Sequence, residues 1–207
     1  MKIAGAAGAF PANRYHQTLI TDAVRAHRGD KLPRPEVLTR LHSRAGVEYR
    51  NFAFPLTEYE RFESWGQSNA AWMEIAEELG ERAIDGALEH SGLRRHDLDS
   101  LFVVSITGVA SPSLDARLIN RIGLRPDIKR TPIFGLGCVG GAAGLTRAAD
   151  YVKAYPTQSA ALLAVEICSL TLRRDDLSMP NLISTGLFGD GAAAGCGSNS
   201  RWRRAAV

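Results

Sequence analysis

Ile133-Phe134-Gly135-Leu136-Gly137-Cys138-Val139-Gly140-Gly141-Ala142-Ala143-Gly144 is the stretch on which the fold turns. The apolar pair Ile133-Phe134 leads into it. Leu145, Ala148, Ala149 and Val152 follow at i, i+3, i+4, i+7, the spacing of an amphipathic helix. A cysteine therefore sits where a strand bends into a helix. Glycines on both sides allow backbone angles that other residues resist. The first turn of a helix presents unpaired N–H groups and the positive end of a dipole, a field that favours the nucleophilic thiolate over the thiol. The plainer reading of the same residues is a glycine-rich packing turn around a buried, inert cysteine.

A second motif overlaps the first. Gly135, Gly137 and Gly140 match the G-x-G-x-x-G of dinucleotide-binding loops, after an expected strand and before an expected helix. Glu166 closes the next apolar run, Ala160 to Val165, near where a ribose-binding acid would lie. Local spacing fits both a nucleophile turn and a dinucleotide loop.

Composition narrows the class. The chain has 207 residues, 45% hydrophobic and 23% charged, ordinary for one substantial globular domain. A net charge of +3 does not argue for nucleic acid, although the arginines suit an anionic ligand such as a phosphorylated cofactor. Cys138, Cys168 and Cys196 form no paired framework and no CxxC. With no His-x-x-x-His among the histidines, no metal site is expected. The cysteine usage suits a reducing cytoplasm. No stretch reaches the ~20 apolar residues of a membrane span. The start, Met1 to Phe10, is glycine-broken and reads as a strand ending at Pro11 rather than a signal peptide.

Along the chain, Tyr15 to His27 predicts a short helix stopped near Gly29, with breaks at Pro33 and Pro35. Pro35 opens a second short helix that closes before Gly46. Val47 to Phe54 includes a short strand. Thr57 to Trp65 reads as a charged connection. The strongest helical signal follows, with Trp72, Ile75, Ala76, Leu79, Ala83, Ala87 and Leu88 on one face, Ser68 or Asn69 at its start and Gly92 at its end. Leu101 to Ile106 is nearly all apolar, as a strand buried on both faces would be. A helix over Pro112 to Gly123 comes next, then a strand over Lys129 to Leu136, the helix after Cys138 and a buried strand ending at Ile167. Asp175 to Asn181 reads as a loop. Leu182 to Phe188 leads into Gly189-Asp190-Gly191-Ala192-Ala193-Ala194, a tight turn and buried strand. Alternating strands and helices predict an α/β fold. Residues 197–207 read as a basic tail that packs nowhere.

Four blocks carry a resemblance: Ser105-Ile106-Thr107-Gly108-Val109 with Pro112; Gly137-Cys138-Val139-Gly140-Gly141; Val165 to Arg173; and Leu187 to Ala194. In order and spacing they resemble the type III polyketide synthases, the chalcone and stilbene synthase family of the thiolase-like superfamily, and bacterial members more than plant ones. The resemblance runs from near residue 1 to about Ala194. It implies the N-terminal half of a thiolase-like α/β fold, a mixed and largely parallel sheet flanked by helices. That domain would span residues 1–196, with the basic tail after it and the C-terminal thiolase-like domain absent.

The resemblance implies that Cys138 accepts the acyl group from an acyl-CoA starter. It makes Phe188 an aromatic gatekeeper, Cys168 and Thr171 cavity-wall positions, and Arg50 a basic group near the CoA phosphates. It implies decarboxylative condensation with malonyl-CoA, CoA thioesters as substrates without a separate cofactor, and a homodimer. The family's catalytic unit is Cys-His-Asn, with His and Asn in the second half of a chain about twice this long. His16, His27, His42, His90 and His96 all precede Cys138 and match no family histidine. The sequence therefore predicts a nucleophile without the partners for condensation. The alternatives are a CoA-primed ketoacyl synthase of the same superfamily, or a dinucleotide-binding module.

Overall fold

The computed structural model describes residues 2–28, 35–173 and 176–199. The elements run β1 (Lys2–Ala9), β2 (Asn13–His16), α1 (Gln17–Arg28), α2 (Pro35–Arg44), β3 (Tyr49–Phe52), α3 (Trp65–Ser91), β4 (Ser100–Val104), α4 (Leu114–Ile122), β5 (Lys129–Ile133), α5 (Gly140–Ala154), β6 (Ser159–Ile167), α6 (Met179–Leu187) and β7 (Asp190–Ser198). They fall into two compact units. Among the described residues the larger holds 2–9, 73–166 and 191–199, and the smaller 10–28, 35–72, 167–173 and 176–190.

The larger unit is built on a five-stranded sheet in the order β1-β7-β6-β4-β5. β4 pairs in parallel with both β5 and β6, while β1 pairs antiparallel with β7. Every residue of β4 is buried, as its unbroken apolar run predicts. Side-chain alternation decides which helix covers which face. Phe102 and Leu162 pack with Ala148, Tyr151 and Val152 of α5. Leu163, one residue on, points to the other face, where a Cβ added to Gly80 of α3 would stand 3.1 Å from Leu163 and 3.2 Å from Leu118 of α4. α5 thus covers one face, and α3 with α4 the other.

The smaller unit holds the β2–β3 hairpin and helices α1, α2 and α6. Leu38 and Leu182 are its buried apolar centre, with Val24, Leu41 and Leu177 around them. Beside them lies a polar network. The Gln17 amide donates to the carbonyl oxygen of Gly186 at 2.6 Å. The His42 ring bonds Thr21 through Nδ1 and Thr185 through Nε2. Gly186 is required here, because a Cβ would stand 2.4 Å from the His42 ring.

His42 gives this unit a pH-dependent stability. Burial, assisted by the Arg50 charge, pushes its imidazole down to about 4 from 6.5. Above pH 6.5 the ring is neutral in both folded and unfolded chains. Between there and about 4 only the unfolded chain takes up the proton, so stability falls with falling pH by roughly 3 kcal/mol in total. Asp190 acts oppositely: burial raises its carboxyl, so its contribution is lost as pH rises. The difference between wild type and His42→Gln isolates the histidine. Urea midpoints from pH 7 to 4 are expected to converge for the two proteins as pH drops. Parallel curves would contradict the assignment.

Several boundaries differ from the sequence expectation. α3 begins at Trp65, ahead of Ser68 or Asn69, because Ser64 and Gln67 form a reciprocal cap. The Gln67 N–H donates to Ser64 Oγ, and Gln67 Oε1 accepts from the N–H groups of Glu63 and Ser64. The connection before it holds a 3-10 helix, Leu56–Arg61. β5 ends at Ile133, short of Leu136. α6 starts at Met179 inside the expected loop, with Ser178 before it and a proline in its first turn. Gly197 and Ser198, expected in the tail, belong to β7 instead: they pair with Ile3 and Lys2, since β1 extends far enough to satisfy their backbones. Residues 200–207, Gly29, Pro33 and the beginning of the 175–181 loop at Asp175 lie outside the described residues.

Candidate active site

Cys138 is exposed in the larger unit, in the middle of a one-turn 3-10 helix, Gly137–Val139, that runs directly into α5. Four of the five flanking glycines serve two purposes. Gly135 and Gly137 have φ of 85° and 59°, the left-handed region open to glycine, and an added Cβ at either would meet nothing within 4 Å. Gly140 and Gly144 are needed for close approach. A Cβ on Gly140 would stand 2.6 Å from Val104, and one on Gly144 2.6 Å from Leu162. The first pair bends the chain and the second seats α5 on the sheet.

Two other cysteines stand in contrast. Cys196 is buried in β7, and burial pushes its thiol up to about 12, which leaves it inert. Cys168 is half-buried in the smaller unit. Iodoacetamide at neutral pH is expected to label exposed Cys138 well before buried Cys196 in the folded chain, and the two at similar rates once it is denatured. Equal rates at the two cysteines in the folded chain would contradict their placement.

Glu166, the candidate ribose acid of the dinucleotide reading, is committed elsewhere. Its carboxylate accepts from the N–H groups of Ile106 and Thr107 and from the Thr107 hydroxyl at 2.7 Å. It caps the loop that follows β4.

Phe188, Cys168, Thr171 and Arg50 all lie in the smaller unit. Phe188 follows α6 directly and is 41% exposed. Cys168 and Thr171 open and close a single 3-10 turn, in which the Thr171 hydroxyl donates to the Cys168 carbonyl at 2.7 Å. Arg50 departs from the phosphate-contact expectation. It is 5% exposed, and its guanidinium donates to the carbonyls of Phe188 (2.8 Å) and Thr185 (2.7 Å) and to the Gln17 amide oxygen. A cation on the last carbonyls of a helix is favoured by the dipole. Arg50 therefore holds the C-terminus of α6 and carries the backbone of Phe188.

The sequence reading passed over two features of this unit. Arg25, Arg40 and Arg44 line an open cleft of about 690 Å³ with Pro35, Glu36, Thr39 and Ser43. Arg40 and Arg44 are exposed on α2, and their i, i+4 spacing was the available signal. The other is Asp190, 3% exposed, which accepts from the Ser169 N–H at 2.8 Å, the Ser169 hydroxyl at 2.5 Å and the Ala53 N–H at 2.6 Å. Among the described residues no group of three or more His, Cys, Asp or Glu side chains could hold a metal ion.

The family model of the chalcone and stilbene synthases, N-terminal domain, matches residues 60–199. The chain belongs to the chalcone and stilbene synthase family. This membership argues against the dinucleotide module. The chain is 50% identical over 190 residues to the 1,3,6,8-tetrahydroxynaphthalene synthase of Streptomyces peucetius subsp. caesius, covering 90% of this chain and 49% of that one. It is 30% identical over 185 residues to the phloroglucinol synthase of Pseudomonas fluorescens, covering 89% and 53%. The fold superposes on the crystal structure of the 1,3,6,8-tetrahydroxynaphthalene synthase of Streptomyces coelicolor A3(2), a bacterial type III polyketide synthase. The TM-score is 0.90 at 30% identity, covering 96% of this chain and 57% of that one. The chain thus spans about half the length of the relatives it matches, and its fold is the thiolase-like α/β fold of type III polyketide synthases. These relatives are enzymes. Among the described residues no helix is long and apolar enough to cross a membrane.

Proposed function

We propose that this chain carries the acyl-loading step of a type III polyketide synthase, with Cys138 as the acyl acceptor. The observation that supports it is an exposed cysteine on a glycine-bent turn entering α5, in a chain of this family. The Cys138 thiolate attacks the carbonyl carbon of an acyl-CoA thioester. The tetrahedral adduct collapses, the new thioester forms on Cys138, and CoA leaves as a thiolate that takes up a proton.

Arg40 and Arg44, exposed in the cleft that Arg25 also lines, are suited to the phosphates of CoA, since arginine pairs with phosphate oxygens through a planar, bidentate fork. They replace Arg50 in that part of the reading. Phe188, Cys168 and Thr171 are carried over from the family as gate and wall positions. Condensation follows in an intact relative: malonyl-CoA loses CO₂ to form an enolate, which attacks the acyl thioester. We assign its His and Asn donors to the part of the relatives that this chain does not span. The N-terminal family domain and a homodimer belong to the same reading.

The test is transfer of radiolabel from a labelled acyl-CoA to the protein, beside equilibrium binding of NAD(H). Label that resists gel filtration and vanishes in Cys138→Ala supports acyl loading. Saturable NAD(H) binding without label, weakened by bulky substitution at Gly137, would overturn it in favour of a dinucleotide module.

A further inference from the structure

Asp190 is a buried carboxylate with three hydrogen bonds to two separate segments, and nothing in the acyl-loading chemistry uses it. Oδ1 accepts from the backbone N–H of Ser169, and Oδ2 from the Ser169 hydroxyl and the backbone N–H of Ala53. The Ser169 hydroxyl in turn accepts from the Tyr59 hydroxyl at 2.6 Å. The chain Tyr59–Ser169–Asp190 is therefore a continuous run of directional bonds within the smaller unit. Ser169 immediately follows Cys168 in the 3-10 turn that Thr171 closes. Asp190 stands two residues after Phe188, whose carbonyl is held by Arg50. Between them Gly189 lies against the backbone of residue 51, with an added Cβ only 3.3 Å from the Asn51 carbonyl oxygen.

These contacts solve a problem that packing leaves open. Phe188 is 41% exposed, so its own burial does not fix it. Thr171 is exposed and Cys168 half-buried. Apolar contact is non-directional and does not by itself fix how the two backbone segments stand to each other. A buried carboxylate is costly unless every oxygen is satisfied, and this one is satisfied by groups belonging to the very segments that carry Cys168 and Phe188.

We propose that Asp190, acting through Ser169, is a positioning residue that fixes the Cys168–Thr171 turn relative to Phe188 and thereby sets which acyl chains are accepted. The proposal rests on the acyl-loading reading for its consequence, although not for the clamp itself. A displacement of about 1 Å in groups that position a substrate is enough to change its productive binding, so loosening the clamp changes discrimination between acyl lengths rather than abolishing transfer.

Ser169→Ala removes the hydroxyl and leaves the backbone N–H on Asp190. Ser169→Thr keeps a hydroxyl. The first readout is site-resolved alkylation of Cys168 by iodoacetamide in the folded chain, with buried Cys196 as the internal measure of folding. Loss of one such hydrogen bond is expected to raise local opening, and with it the Cys168 rate, about tenfold. Cys196 stays protected, and Ser169→Thr returns to the wild-type rate. Asp190→Asn, which turns an amide N–H₂ toward donors, shifts Cys168 in the same direction. The second readout is competition between acetyl-CoA and hexanoyl-CoA for Cys138, measured as the ratio of the two adducts. That ratio is expected to move in Ser169→Ala and to be restored in Ser169→Thr.

An unchanged Cys168 rate in both Ser169→Ala and Asp190→Asn overturns the clamp. A raised Cys168 rate with an unchanged adduct ratio overturns its role in specificity. Absence of any adduct in the wild type would refute the acyl-loading reading, and with it the specificity role, while the Cys168 rates still decide the clamp.

Discussion

A reaction containing only these 207 residues, an acyl-CoA and radiolabelled malonyl-CoA is expected to yield no extended product. Acyl transfer and condensation make different demands. Transfer needs an accessible cysteine, and Cys138 is exposed on a turn whose shaping groups all lie in one unit: Gly135 and Gly137 for the bend, and Gly140 and Gly144 for the seating of α5. Condensation needs hydrogen-bond donors at the enolate oxygen. Each such donor is worth about 3 kcal/mol, so the lack of two slows the step by roughly 10⁴-fold or more. In the family these donors are a histidine and an asparagine. The histidines here are placed otherwise: His42 is buried in the α1–α2–α6 network, and His90 bonds the Ala6 carbonyl at the far end of α3. The comparison is a chain extended by a relative's second half. Product from the 207-residue chain itself, lost in Cys138→Ala, would contradict the assignment of the donors.

The second large effect is structural. Gly5→Val is expected to destabilise the protein by about 3 kcal/mol, visible as a lower urea midpoint. Even one Cβ on Gly5 would lie 2.3 Å from the Ser91 nitrogen and 2.5 Å from the Ala87 carbonyl oxygen. Those are backbone atoms of α3 and cannot rotate aside, so β1 would have to leave the helix or α3 would have to give way. Gly141→Ala is the matched control. Nothing lies within 4 Å of a Cβ there and the residue is helical, so the expected change is a gain of about 0.5–1 kcal/mol. Equal midpoints for the two variants would contradict the packing described for β1.

The sheet and its helices were legible because their patterns are local. The unbroken apolar run of β4 and the i, i+3, i+4 spacing after Cys138 each name an element without knowledge of its neighbours. The bend at Gly135 and Gly137 was legible for the same reason, since a positive φ is a property of one residue. Gly5 was not, because its requirement comes from α3, more than eighty residues later. Ser64 and Gln67 did carry a readable capping signature, which the charged surroundings of the 57–65 segment obscured. Met179 to Asn181 hid the start of α6 behind loop-like composition, although the proline in its first turn was a signal.

The candidate site divides in the same way. Cys138 was readable from its own turn. Arg50 was not, because its three partners, Gln17, Thr185 and the Phe188 carbonyl, are brought to it by tertiary structure, and a buried arginine looks like a solvated one in sequence. Asp190 sits in a run of small residues that reads as a turn. Its partners Ser169 and Ala53 come from elsewhere in the chain, so its role emerges only once β7, the 168–171 turn and the residues after β3 are assembled.

The measurement that tests the account most directly is peptide-resolved mass spectrometry of the folded chain after brief incubation with an acyl-CoA. The account predicts one acyl mass increment, confined to the peptide that holds Cys138 and absent in Cys138→Ala. An increment on the Cys168 peptide, or none in a protein whose Cys196 remains protected from alkylation, would contradict it.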